Sequence, residues 1–175
     1  MKTRKLCACA CLTAAALGVF VLECQLPPVS VLPGLKPGLS NIFTLVCMDL
    51  LGPGWALGLL LARILLGCAL TGRVSAALYA LSGGLAAFLP MALLRRRLSG
   101  RFLWVKSVFC ALAHNLGQLL AAAWAAGTWA VFWYLPALEL AGLFSGALTG
   151  LCAQLCLQRL SRAHGLRLFH TNSDL

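Results

Sequence analysis

With 175 residues, 61% of them hydrophobic and only 10% charged, the chain falls far below the roughly 25% charge of a soluble domain. A chain this short and this apolar leaves too much surface to hide its side chains in one soluble core, so lipid must solvate most of its exterior. The net charge of +10 is spread over clusters at the ends of apolar runs, with no basic face interleaved with aromatics, which removes nucleic-acid binding.

The first apolar segment, about 6–24, follows Met1-Lys2-Thr3-Arg4-Lys5 as a signal peptide would. It closes on Val21-Leu22-Glu23-Cys24, with no pair of small residues to cleave after. Glu23 also occupies the place where lipoprotein processing needs a small side chain. The segment is therefore expected to remain as the first membrane helix. Cys7-Ala8-Cys9-Ala10-Cys11 imitates a metal motif, but on a helix Cys9 points nearly opposite to Cys7 and Cys11, so one ion cannot collect all three. The remaining cysteines also fall in apolar runs, apart from Cys24 near an interface, and there Cys acts as a small hydrophobe. Neither a disulfide framework nor a metal site is expected. Ala10, Ala14 and Gly18 repeat at four-residue spacing and offer a stripe for close helix packing or for a partner subunit.

The loop that follows, from Leu26 to Asn41, holds four prolines and two glycines. Such a segment is stiff and sharply turned, which suits a cap over the outer end of a bundle better than a simple connector. Further apolar segments span about 39–53, 55–71, 74–94, 107–126 and 135–158. A spanning helix needs about 20 residues, so the second and third are short and are expected to be tilted, broken or partly re-entrant. The second carries Asp49 and the third carries Arg63, on either side of the Gly52-Pro53-Gly54 turn. The preferred reading is a structural ion pair between them, because a lone intramembrane charge is costly. The alternative is direct contact between Arg63 and an anionic ligand.

The fifth segment contains Ala113-His114-Asn115-Leu116-Gly117-Gln118. His114 and Gln118 share a face and Asn115 adjoins it. Three such groups serve either as interhelical hydrogen-bond glue or as a ligand site, and the sequence does not choose. In the sixth, Gly142, Gly146 and Gly150 form a double GxxxG stripe for helix contact.

With the N-terminus in the cytoplasm, the inside segments hold Lys2, Arg4, Lys5, Arg95, Arg96, Arg97, Arg101, Lys106, Arg159, Arg162 and Arg167, against Lys36 and Arg73 outside. This bias predicts an all-α integral membrane protein, a compact bundle of about six transmembrane helices with both termini cytoplasmic. Residues 1–160 would form one transmembrane domain and 161–175 a short polar, loosely ordered tail. The chain has only four acidic residues, no two of them within five positions. It lacks an aspartate-rich motif for magnesium-diphosphate, a P-loop and a zinc HExxH, so it is expected to be no enzyme and to need no cofactor.

Five ordered motifs carry a resemblance. They are Leu32 to Ile42, Arg63-Ile64-Leu65-Leu66-Gly67, Tyr79-Ala80-Leu81-Ser82-Gly83-Gly84, His114-Asn115-Leu116-Gly117-Gln118-Leu119, and Tyr134-Leu135-Pro136. Together they resemble the Gx transporter family, also called heptaprenyl diphosphate synthase component I, from about Glu23 to Gly150. That family is similar to the substrate-binding S components of bacterial energy-coupling-factor transporters. Pro37 departs from it, where the family more often has Leu before Gly. The resemblance implies six helices in the bacterial cell membrane, a solute site beneath the first loop, and a transporter scaffold and ATPases as partners. Lys36, Asn41, Tyr79, His114, Asn115, Gln118 and Tyr134 would line that site. The competing expectations are a non-catalytic membrane partner in heptaprenyl diphosphate synthesis, and a membrane scaffold or small channel.

Overall fold

The structure, a computed structural model, describes residues 2–25, 38–72, 74–98 and 102–164. They form six α-helices: α1 (Lys2–Gln25), α2 (Asn41–Leu50), α3 (Pro53–Thr71), α4 (Val74–Arg97), α5 (Leu103–Ala126) and α6 (Leu135–His164). A 3₁₀ turn at Trp129–Tyr134 joins the last two. All but α2 are long and apolar enough to cross a membrane. Their outward faces carry large apolar side chains that water would not tolerate in such numbers, among them Leu65, Leu70, Leu89, Leu93, Phe144 and Leu155. The protein is an all-α, multi-pass membrane bundle.

Glycines set the helix pairings. An added Cβ at Gly142 would meet Asn115, one at Gly146 would meet Val108 and Ala111, and one at Gly150 would meet Trp104 and Ser107. The double GxxxG stripe therefore lets α6 lie antiparallel along α5. Gly83 packs in the same way on His114 and Gln118, and Gly117 on Ser82 and Ala86, which joins α4 to α5. Gly67 receives the ring of Phe20 and sets α3 parallel to α1. By contrast Ala10, Ala14 and Gly18 are all exposed, and nothing approaches Gly18 within 4 Å. That stripe faces away from its own bundle.

The short second helix lies at the centre. Five consecutive residues, Thr44 to Met48, are buried, as expected of a helix surrounded on every side. Leu45, Val46, Cys47 and Met48 share one core with Cys9 and Ala16 of α1, Ala56 and Leu59 of α3, Met91 of α4, Cys110 of α5 and Ala153 of α6. Cys9 thus points inward while Cys7 and Cys11 are exposed, as opposite faces of one helix require. At the lower end of α2 the chain reverses at Gly52, whose φ of +103° is open to glycine and strained for other residues. Pro53 then occupies the first turn of α3, where its missing N–H costs nothing.

Ten residues of helix rise only about 15 Å, half the roughly 30 Å hydrocarbon core. A central helix of that length fills one half of the bundle and leaves the other half to be closed by something else. The filled half is the basic end, where Lys2, Arg4, Lys5, Arg95, Arg97 and Arg159 are exposed. The opposite half holds the polar groups described next. Helix α6 runs on to His164, so the segment expected to begin a tail at 161 starts as helix. The first loop up to Pro37, Arg73 and the chain beyond 164 lie outside the described residues.

Candidate functional site

Above the first turn of α2 lies a cavity of about 100 Å³. Every long helix except α6 contributes: Phe20 and Glu23 from α1, Arg63 and Ile64 from α3, Tyr79 and Ala80 from α4, His114 and Gln118 from α5. Gly38, Ser40 and Asn41 close it from below. Gly38 adopts φ +69°, and its carbonyl accepts the Asn41 N–H at 2.9 Å, a tight turn that starts α2 at mid-depth.

Arg63 is the central group. It is 5% exposed and donates from Nη1 to Ser40 Oγ at 2.5 Å and from Nη2 to Asn41 Oδ1 at 2.9 Å. Its Nε is buried with no partner among the described residues. Glu23, also 5% exposed, accepts the Leu39 N–H at 2.6 Å. Among the described residues Arg63 and Glu23 form no ion pair with each other, although both line the same cavity. His114 is likewise buried, with its ring against Gly83, whose backbone it meets. A buried polar group left without a hydrogen bond costs about 1–3 kcal/mol, so Arg63 Nε marks a place where an incoming acceptor is favoured.

The expected ion pair between Asp49 and Arg63 is not formed. Arg63 stands level with Asn41, and Asp49 lies eight residues further along α2, about 12 Å away along the axis, beyond the reach of the guanidinium. Asp49 pairs instead with Lys106, whose Nζ is 3.4 Å from Oδ2. Lys106 was counted among the cytoplasmic anchors, yet it is buried to 2% exposure. The partner was missed because a hairpin suggests a partner within the hairpin, whereas the central helix faces α5 as well as α3.

The remaining candidates divide. Asn41, Tyr79, His114 and Gln118 come together around the cavity. Asn115 turns towards α6 and donates from Nδ2 to the Leu138 carbonyl at 2.8 Å, which makes it interhelical glue. It also borders a smaller void of about 40 Å³ that shares Gly38, Asn41 and His114 with the first and continues past Thr44, Ser107 and Thr149. Tyr134 sits exposed in the 3₁₀ turn, outside both linings. Lys36 lies outside the described residues. Sequence reasoning overlooked Ser40 and Glu23 as site residues. The signal was available in Glu23, an acidic side chain near the end of an apolar helix.

No curated protein and no solved structure matches the chain. Residues 12–156, which include α2 to α5, every polar group of the cavity and most of α1 and α6, match the family described as heptaprenyl diphosphate synthase component I, and the chain belongs to that family.

Proposed function

We propose that the chain is the membrane-embedded solute-binding subunit of a small-molecule uptake transporter, resembling an energy-coupling-factor S component. It would lie in the bacterial cell membrane with its basic end in the cytoplasm, as the charge bias favours. The observation that carries this reading is the cavity above the truncated central helix, where polar groups from five helices converge and the buried Nε of Arg63 has no partner among the described residues. A concave site with a few convergent polar groups is how small-molecule sites are built. The outward stripe Ala10–Ala14–Gly18 supplies a surface for close approach of a scaffold subunit, and energy would come from ATPases attached to that scaffold.

The family's description supports a second reading, a non-catalytic membrane partner in heptaprenyl diphosphate synthesis. Charge favours the first. A diphosphate brings two or more negative charges, and the described lining opposes one guanidinium with one carboxylate. Affinity purification of the tagged chain from native membranes separates the two. Recovery of a transmembrane scaffold with nucleotide-binding subunits supports transport. Recovery of a soluble synthase bearing aspartate-rich motifs, without ATPases, overturns it in favour of the second reading.

A further inference from the structure

We infer that the solute held in this cavity carries no net charge and is dipolar, with an acceptor group for Arg63 and a donor group for Glu23. The inference rests on the solute-binding reading and narrows it to a chemical class.

The acceptor end follows from Arg63. A guanidinium has five N–H donors in a fixed fork; Ser40 and Asn41 take one from each terminal nitrogen, and Nε has no partner among the described residues. The first turn of α2 adds the positive end of a ten-residue helix, although its Asn41 and Ile42 N–H groups are already bonded to the Gly38 and Leu39 carbonyls. The Nε of Arg63 therefore calls for a carboxylate or carbonyl oxygen at the lower wall, and the helix end favours its negative charge. The donor end follows from Glu23, 5% exposed on the same lining, one of whose oxygens accepts from the Leu39 N–H. A net anion placed between these groups would face Glu23 in a medium of low dielectric, where like charges repel strongly. A net cation would face Arg63. A solute whose own charges or dipoles cancel meets both walls favourably. Two kinds of molecule share this chemistry: a zwitterion with carboxylate and ammonium, and an uncharged amide or ureide with a carbonyl beside an N–H. Gln118 and His114 add donor and acceptor groups at the side of the cavity, so either kind can be hydrogen-bonded along a second edge.

The test uses the purified full chain in lipid nanodiscs. Equilibrium binding is measured for the α-amino acids, uracil and related cyclic amides, mono- and dicarboxylates, orthophosphate and pyrophosphate. Saturable binding by an amino acid or a cyclic amide, with none by the anions, is the expected result. Glu23→Gln then identifies the source. An ammonium loses its charge partner and binding falls at least tenfold, whereas an amide donor can share the second lone pair of the carbonyl oxygen that accepts from Leu39 and changes less than threefold. Because Glu23→Gln keeps the acceptor for the Leu39 N–H, the fold is expected to survive, and circular dichroism checks it. Tightest binding by a carboxylate or pyrophosphate, strengthened by Glu23→Gln, overturns the neutral class and leaves the solute-binding reading standing. No saturable binding across the whole panel overturns both.

Discussion

Lys106 Nζ lies 3.4 Å from Asp49 Oδ2, and this buried pair fastens the lower end of the central helix to α5. At its upper end the same helix is held by Arg63, which donates to Ser40 and Asn41. A helix of ten residues makes too few contacts to fix its own depth, so the two cations from neighbouring helices set where it starts and stops. The cavity exists because of that placement.

Removing one member of the lower pair should therefore cost more than removing both. Lys106→Met leaves Asp49 buried without its counter-charge, a loss of about 3–5 kcal/mol by analogy with other broken buried pairs. Lys106→Met combined with Asp49→Leu should recover most of it. Thermal unfolding in detergent reads this directly, and equal stability of the single and double variants would show that the pair does not hold the helix.

At the upper end, Arg63→Ala strips Ser40 and Asn41 of a donor. The expected loss is about 1–3 kcal/mol for buried groups left unsatisfied, against about 0.5 kcal/mol or less for the exposed Arg97→Ala. The comparison is made in the same unfolding assay. Indistinguishable midpoints for the two variants would contradict the clamp.

The two small-residue stripes should respond oppositely to bulk. A side chain at Gly146 meets Val108 Cα at 2.9 Å, so Gly146→Leu must push α6 off α5 and lower the unfolding midpoint strongly. Ala14→Trp points outward and should leave midpoint and solute binding unchanged while abolishing uptake by the assembled transporter. Full uptake with Ala14→Trp removes the docking role assigned to α1.

Orientation is checked by cysteine labelling in intact cells, on a background with the native cysteines replaced. A cysteine at position 36 should react with an impermeant reagent, and cysteines at 98 and 172 should not. The reverse pattern inverts the bundle and puts the cavity on the cytoplasmic side.

Much of this was legible in the sequence. Apolar run length gave all six helices, and the brevity of the second segment announced a truncated element, whereas the third, read as equally short, is one continuous 19-residue helix long enough to span. Four of the seven expected lining residues meet around one cavity, because His114 and Gln118 share a helix face and Tyr79, five residues into α4, reaches the depth at which Asn41 begins α2. The partners of Arg63 (Ser40 and Asn41) and of Lys106 (Asp49) were not legible. Periodicity fixes which face of a helix is apolar, but not which neighbour that face meets or at what height. The height of Asp49 relative to Arg63 follows from where α2 starts, and that in turn depends on the turn at Gly38. Asn115 differs from Gln118 for a similar reason: a three-residue step along α5 moves the side chain from the cavity to the α6 seam.

The central claim is that the cavity above the truncated helix α2 holds a solute, and the most direct measurement is an equilibrium isotherm on the purified chain with no nucleotide or partner present. The account predicts saturable binding of one solute per chain. Gln118→Ala should weaken it roughly tenfold, about 1.4 kcal/mol, while Arg97→Ala leaves it unchanged. Saturable binding that Gln118→Ala and Arg63→Ala both leave intact would place the solute elsewhere and contradict the account.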